Sequence, residues 1–264
     1  MEKAFSGLDK FGLSKIIEEK NDIFESVEEK TISQKKVNIF KIEDYVYAKK
    51  FTCPVCHKNF TSNIVRDSKL RVESISFDLC PKYSPVNPNL YNIVICQDCG
   101  YSADKLYFNK ITSRQANLIL EKIKPSFKPH SWPLELSIDM AIERYKLALV
   151  TSMVKNAKNG ERAYLCLKLM WLYREKNDTE HQKLFASFAA KGFEEALLKE
   201  SLPIMGLSES TLTYILATIY QYLANYEKSL KFLSDVIISK TASERLKDRA
   251  RELKNKINGK NLTK

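Results

Sequence analysis

The sequence predicts an α+β chain, mainly α, in which a small zinc-ribbon-like β module precedes a tetratricopeptide-like domain of helical repeats. Three observations predict it. Two Cys-x-x-Cys pairs, Cys53/Cys56 and Cys96/Cys99, bracket short runs rich in Val, Ile, Phe and Tyr. Beyond Pro133 the chain carries helical periodicity and capping signals to its end. Within that stretch, small and large residues recur at i, i+4 and i+7. The chain also has only 7 glycines and 8 prolines in 264 residues, too few for the many turns of an all-β fold.

Residues 1–44 read as a charged leader, partly disordered or a docked helix. Phe5, Leu8, Phe11 and Leu13 can form one amphipathic turn, after which charge dominates. The N-terminus mixes both charge signs and has no apolar core of a signal peptide. The most apolar helical stretch, about 211–224, is shorter than the roughly 20 residues a bilayer requires. A cytoplasmic protein with no membrane partner is expected, in a compartment that keeps its 6 cysteines reduced.

Residues 45–130 form the β module. Strands are expected at 49–52, 60–66, 70–77 and 92–95, where β-branched and aromatic residues alternate with turn residues. Segment 81–88 contains Pro81, Pro85 and Pro88 and predicts an extended loop. Ser113 is expected to cap a short helix that runs to Ile123, with Pro125 and Pro129 beyond it.

Residues 131–240 form the helical domain. A long first helix is expected with Pro133 in its first turn and Asn159-Gly160 as its stop. A second runs from Glu161 to about Glu175, where Asn177-Asp178 breaks it. Thr179 with Gln182 makes a capping box for the third. Pro203 and Gly206 separate that from a fourth, capped by Ser208, and Asn225 turns the chain into a fifth. In 241–264, Thr241 with Glu244 forms another capping box. The last helix sets Leu246, Ala250, Leu253 and Ile257 on one face, as a basic capping helix and tail.

The repeat lies in three triplets: Ala141/Tyr145/Ala148, Ala189/Phe193/Ala196 and Ser229/Leu233/Val236. Small residues let paired helices approach and the large residue fills the gap beside them. Leu169/Met170/Tyr173 and Leu216/Ala217/Tyr220 supply the matching first helices. Such repeats imply a protein or peptide partner.

The chemistry lies in the cysteines. A Cys-x-x-Cys turn brings two thiolates to about 2.3 Å from one Zn²⁺, and two such turns close a tetrahedral site with no open position. Gly100 can take the left-handed conformation that such a turn needs. One structural Zn²⁺ on Cys53, Cys56, Cys96 and Cys99 is expected. Rubredoxin-type iron has similar spacing, and a redox pair would want a βαβ context, which is missing here. Cys80 reads as a free thiol at a strand-to-loop turn and Cys166 as a core residue. His57, His130 and His181 fall in no catalytic pattern. Gly7 and Gly12 have phosphate-loop spacing, but Leu13-Ser14 follows where Lys-Ser/Thr is required. No catalytic set is legible.

Net charge is +11, and its location is informative. Residues 51–130 carry 11 basic against 6 acidic residues and 240–264 carry 9 against 3, while the rest is neutral. In the β module Arg66, Lys69, Arg71, Tyr91 and Tyr101 interleave basic and aromatic types. They form a possible binding surface that could track phosphates and stack bases, so a nucleic-acid partner is the alternative to a protein one. A solvated strand edge has the same composition.

At these residues the chain resembles a bacterial family catalogued as domain of unknown function 2225. The similarity runs from the Cys53-Pro-Val-Cys56 knuckle through Ile64-Val65-Arg66, Lys69-Leu70-Arg71, Asp78-Leu79 and Asn87-Pro88 with Leu90-Tyr91 to Cys96–Tyr101. It continues at Glu143-Arg144-Tyr145-Lys146-Leu147-Ala148 and Arg162-Ala163-Tyr164, covering roughly 40–255. The resemblance implies a cytoplasmic protein with a zinc-ribbon-like module and a tetratricopeptide-like tail. It implies no activity, and Cys80 lies outside the family's knuckle pattern.

Overall fold

The computed structural model describes residues 40–261. The leader expected over 1–44 lies outside the described residues except at its end, where Ile42–Asp44 makes one 3-10 turn. From Lys41 onward the described residues form one compact unit. It is mainly α, with three small antiparallel strand pairs followed by helices.

β1 (Val46–Thr52) pairs with β2 (Asn59–Val65), from Val46 opposite Val65 to Thr52 opposite Asn59. β3 (Arg71–Ile75) pairs with β4 (Pro81–Ser84), and β5 (Ile93–Ile95) with β6 (Ser102–Asp104). A two-stranded ribbon is at best marginal alone in water, so each must be held by something else. Two strands depart from expectation. Pro81–Ser84 is paired strand, not loop, because Pro81 stands at the first position of an edge strand, where a missing N–H is tolerated. β6 is too short to leave a periodic signal.

The helices are α1 (Ser113–Lys122), α2 (Ile138–Val154), α3 (Asn159–Glu175), α4 (Thr179–Lys199), α5 (Glu209–Tyr222), α6 (Tyr226–Ile238) and α7 (Glu244–Asn261). Ser208 and Asn225 cap α5 and α6 through their side chains. Three other caps sit beside the expected residue. Thr112, not Ser113, forms a capping box with Gln115. Asp178, not Thr179, accepts from His181 N. The hydroxyl of Ser243, not Thr241, accepts from Leu246 N. Two boundaries also change. Ser137 caps α2, so Pro133 precedes the helix. Asn156, at φ 52°, turns the chain after α2, and Asn159-Gly160 open α3 where a stop was expected. No helix among the described residues is long and apolar enough to cross a membrane.

All nine triplet positions are at most 1% exposed, so the i, i+4, i+7 spacing marks buried helix faces. Ser229 Oγ donates to Ala217 O at 2.8 Å and ties α6 to α5. On α7, Ala250, Leu253 and Ile257 are buried, and Leu246 packs beside them against Tyr214, Leu233 and Val236. The short strand β5 faces two ways, as its pleat demands. Ile93 and Ile95 join the core of α2 to α5, while Val94 joins a second core with the cysteines.

The seam between α3 and α4 is tight. A Cβ built on Gly192 would stand 2.8 Å from the Cβ of Ala163. Gly192→Val is therefore expected to destabilise the protein by about 1–3 kcal/mol by forcing the helices apart, despite valine's better helix propensity. Urea denaturation measures this.

Candidate metal centre

The two Cys-x-x-Cys turns are the tips of two hairpins with matching geometry. Loop 53–58 joins β1 to β2 and loop 96–101 joins β5 to β6. In the first, Cys53 N donates to Lys58 O at 2.9 Å and His57 N to Cys53 O at 2.9 Å. In the second, Cys96 N donates to Tyr101 O at 2.9 Å and Gly100 N to Cys96 O at 3.0 Å. The residue after each second cysteine is left-handed, His57 at φ 60° and Gly100 at φ 74°.

The four Sγ atoms lie within 4.8 Å of one another, so Cys53, Cys56, Cys96 and Cys99 can hold a metal ion. Cys53 and Cys99 are 3.6 Å apart, as are Cys56 and Cys96. Sulfurs about 2.3 Å from a tetrahedral ion stand about 3.8 Å from each other, so the spacing fits. Val55 N points at Cys53 Sγ at 3.4 Å, a donor that favours thiolate. As free thiols the group can only share protons. Hydrogen bonds from Cys53 and Cys99 hold Cys96 well below the usual thiol range, and hydrogen bonding to Cys96 pushes Cys53 above it. Cys99 is likewise raised through Cys53. A cation removes this conflict, and four protein ligands leave a tetrahedral ion no position for substrate.

An aromatic floor supports the knuckles. Phe51, Phe60 and Phe108 stand within 5.9 Å of one another by ring centroids, and Tyr101 lies 4.9 Å from Phe108. On the solvent side Lys58 pairs with Asp98 at 2.6 Å, linking one knuckle to the other. Cys80 and Cys166 stand outside the four-sulfur group, and burial pushes their thiols up to about 11 and about 12.

The nominated binding surface is only partly assembled. Arg66 and Lys69 are exposed, but they lie over Tyr47 and Tyr45 at 4.4 and 5.8 Å, rings that sequence reasoning did not single out. Arg71 is exposed on a different ribbon. Tyr91 and Tyr101 are buried at 2% and 0%, which corrects their reading as stacking platforms. Tyr101 Oη donates to Phe108 O at 2.9 Å, and Tyr91 Oη donates to Leu134 O at 3.1 Å. Both rings fill core that a neighbouring strand or helix covers.

A second assembly could not be read from sequence. The turn 76–80 at the tip of β3–β4 rests on a face made by α3, α5 and α7. Arg174 on α3 holds Asp78 at 2.6 Å, Tyr214 Oη on α5 donates to Phe77 O at 3.0 Å, and Arg249 on α7 donates to Ser76 O at 3.0 Å. Phe77 and Leu79 pack on the Tyr214, Ala217 and Leu253 cluster. Beside the turn lies a hollow of about 530 Å³ that includes Lys82, Arg174, Gln182, Gln221 and Lys256.

Buried ionisable groups also meet between β module and helices. Lys168 Nζ donates to Asn89 Oδ1 at 3.3 Å and lies over Trp171 at 4.4 Å, and burial pushes its pKa down to about 8. Burial raises Asp104, Tyr145 and Tyr164 in the same region. None of these four lines the hollow beside the turn.

The equivalent left-handed positions give a paired prediction. A Cβ on Gly100 would stand 2.6 Å from the Phe127 ring, so Gly100→Ala meets both backbone strain and a clash. It is expected to lose more than about 1 kcal/mol. His57→Gly, at the exposed counterpart, is expected to be neutral or to stabilise by up to about 1 kcal/mol. Thermal melts of both variants check the opposite signs.

The family model described as "Uncharacterized protein conserved in bacteria (DUF2225)" matches residues 46–257. No curated protein and no solved structure matches. With both knuckles and the helices as far as α7 inside the matched region, the chain belongs to this family.

Proposed function

We propose that this protein is a zinc-stapled cytoplasmic adaptor. One structural Zn²⁺ closes the two knuckles. The pairs α3/α4 and α5/α6, capped by α7, act as tetratricopeptide-like repeats that hold a segment of a protein partner. The observation that carries the reading is the seated turn 76–80. The face of α3, α5 and α7 already grips this hairpin turn through carbonyls, a carboxylate and two apolar side chains. A partner segment would use the same kind of contacts. The hollow beside the turn has three cations, Lys82, Arg174 and Lys256, against Asp78, which Arg174 already engages. An acidic segment suits it.

Zinc suits the centre because four thiolates in a closed tetrahedral shell satisfy a d¹⁰ ion that imposes no geometry of its own. Elemental analysis of protein purified without chelator is expected to find about one equivalent of zinc. Chelation, or Cys96→Ser, is expected to lower the melting temperature of the helical signal as well as opening the β module to protease, since β5 serves both cores. A helical melt unchanged by metal removal would show the two parts to be independent.

For partner binding, Lys82→Glu with Lys256→Glu is the test. Both side chains are exposed, so melting temperature and zinc content should be retained. Proteins captured from a bacterial lysate by the wild type should be lost by the double variant. Identical captures would sink the adaptor reading at this face.

One observation favours a second reading. Lys49, Arg66 and Lys105 line a hollow of about 450 Å³ beside Tyr47, against one acid, Asp67, which pairs with Lys105 at 3.3 Å, and the net basic and aromatic composition suits nucleic acid. Arg66→Glu should then weaken filter binding of mixed RNA and DNA and reduce its salt slope by about one unit.

A further inference from the structure

Helix α2 buries a cation without a counter-ion. Arg144 is 3% exposed, and no carboxylate among the described residues pairs with it. One Nη donates to Ile93 O, and the guanidinium lies 5.4 Å from the Trp132 ring centroid. Its Nε has no hydrogen-bond partner. Burying an ion is expensive unless an opposite charge compensates, and breaking a buried pair is strongly destabilising for that reason. Burial pushes the guanidinium pKa down to about 10.

Arg144 lines a hollow of about 550 Å³ between β2, β5 and the segment before α2. None of its lining residues is acidic. Thr61, Ser62, Asn63, Gln97, His130 and Ser131 supply the uncharged polar groups. Gln97 Oε1 accepts from His130 N at 3.0 Å, which fixes the carboxamide and turns its NH₂ into the available end. Ile95, Gln97, His130 and Trp132 also line a second hollow of about 560 Å³ that is mostly apolar, walled by Phe127, Leu147 and Val150, with Lys128, Glu143 and Lys146 also in its lining.

We propose that these adjoining hollows form one binding site for a small amphiphilic anion. Its carboxylate or phosphate group meets Arg144, Gln97 and the serine hydroxyls, and its apolar body lies against Leu147 and Val150. A purely structural Arg144, tying α2 to β5, accounts for the bond to Ile93 O. It does not account for a buried positive charge lacking a carboxylate at the edge of a polar hollow. The proposal is independent of the adaptor reading and of which metal fills the cysteine centre.

The test titrates the full-length, metal-loaded protein with hexanoate, acetate, inorganic phosphate and neutral hexanol, following backbone amides by NMR. Hexanoate is expected to give saturable shifts at Gln97, His130 and Ser131, with at least about tenfold tighter binding than acetate, the value of burying part of a four-methylene extension. Hexanol should bind much more weakly. Arg144→Gln should weaken hexanoate at least about tenfold, the order expected for losing a charge-assisted contact. Because that substitution touches the α2–β5 contact, Ser131→Glu is the companion. It lies at the exposed rim, leaves Arg144 in place and sets a competing carboxylate there. Its melting temperature should stay near wild type while anion binding is lost. Saturation by phosphate, with the same losses in both variants, supports the site and assigns the phosphate group. No saturable shift from any anion at millimolar concentration, equal binding of hexanol and hexanoate, or undiminished binding in both variants would overturn the proposal.

Discussion

The structure depends on β5, a strand of three residues that two cores share. Ile93 and Ile95 lie among α2 to α5, Val94 lies among the knuckle residues, and Cys96 follows directly. A period of two is what allows so short a segment to serve both sides. The cysteine knuckles are thus attached to the helices by buried side chains. The arrangement also explains how three separate ribbons persist. β1–β2 and β5–β6 meet at the sulfurs, and β3–β4 is held by α3, α5 and α7.

Local signals were legible and paired surfaces were not. The knuckles could be read because two cysteines, a tight turn and Gly100 fall within a few residues. The triplets from Ala141 to Val236 could be read because helical spacing is local as well. Caps were found to within a residue or two, since Thr112/Ser113 and Asp178/Thr179 offer adjacent oxygens and only coordinates show which one accepts. The failures lie at longer range. Tyr91 and Tyr101 sit in or beside very short strands, where pattern does not tell which face a neighbour covers. Asp78 and Arg174 stand 96 positions apart, and nothing in either stretch announces the other. Arg144 is in a plain amphipathic helix and becomes unusual only when its surroundings are seen.

The metal centre and the helical face differ in kind. The four sulfurs can close on one ion, and with backbone donors and an aromatic floor around them they would leave no position for an outside molecule. The helical face is satisfied only in part. Its tyrosine and arginines are engaged by backbone carbonyls and by Asp78, while Lys82 and Lys256 border open space. At this face the basic residues therefore split into Arg174 and Arg249, which hold the turn, and Lys82 and Lys256, which are presented outward.

The seated turn 76–80 also sets a threshold. A segment tethered a few residues from its groove competes as though present at roughly millimolar concentration. An outside partner at micromolar concentration that needed the whole face would have to bind about a thousandfold more tightly than the turn in order to displace it. Weak, generic sequences are excluded by mass action alone. Any partner strong enough to take the face would release the β3–β4 ribbon at the same moment, so occupancy would be reported at the far end of that ribbon without a separate hinge.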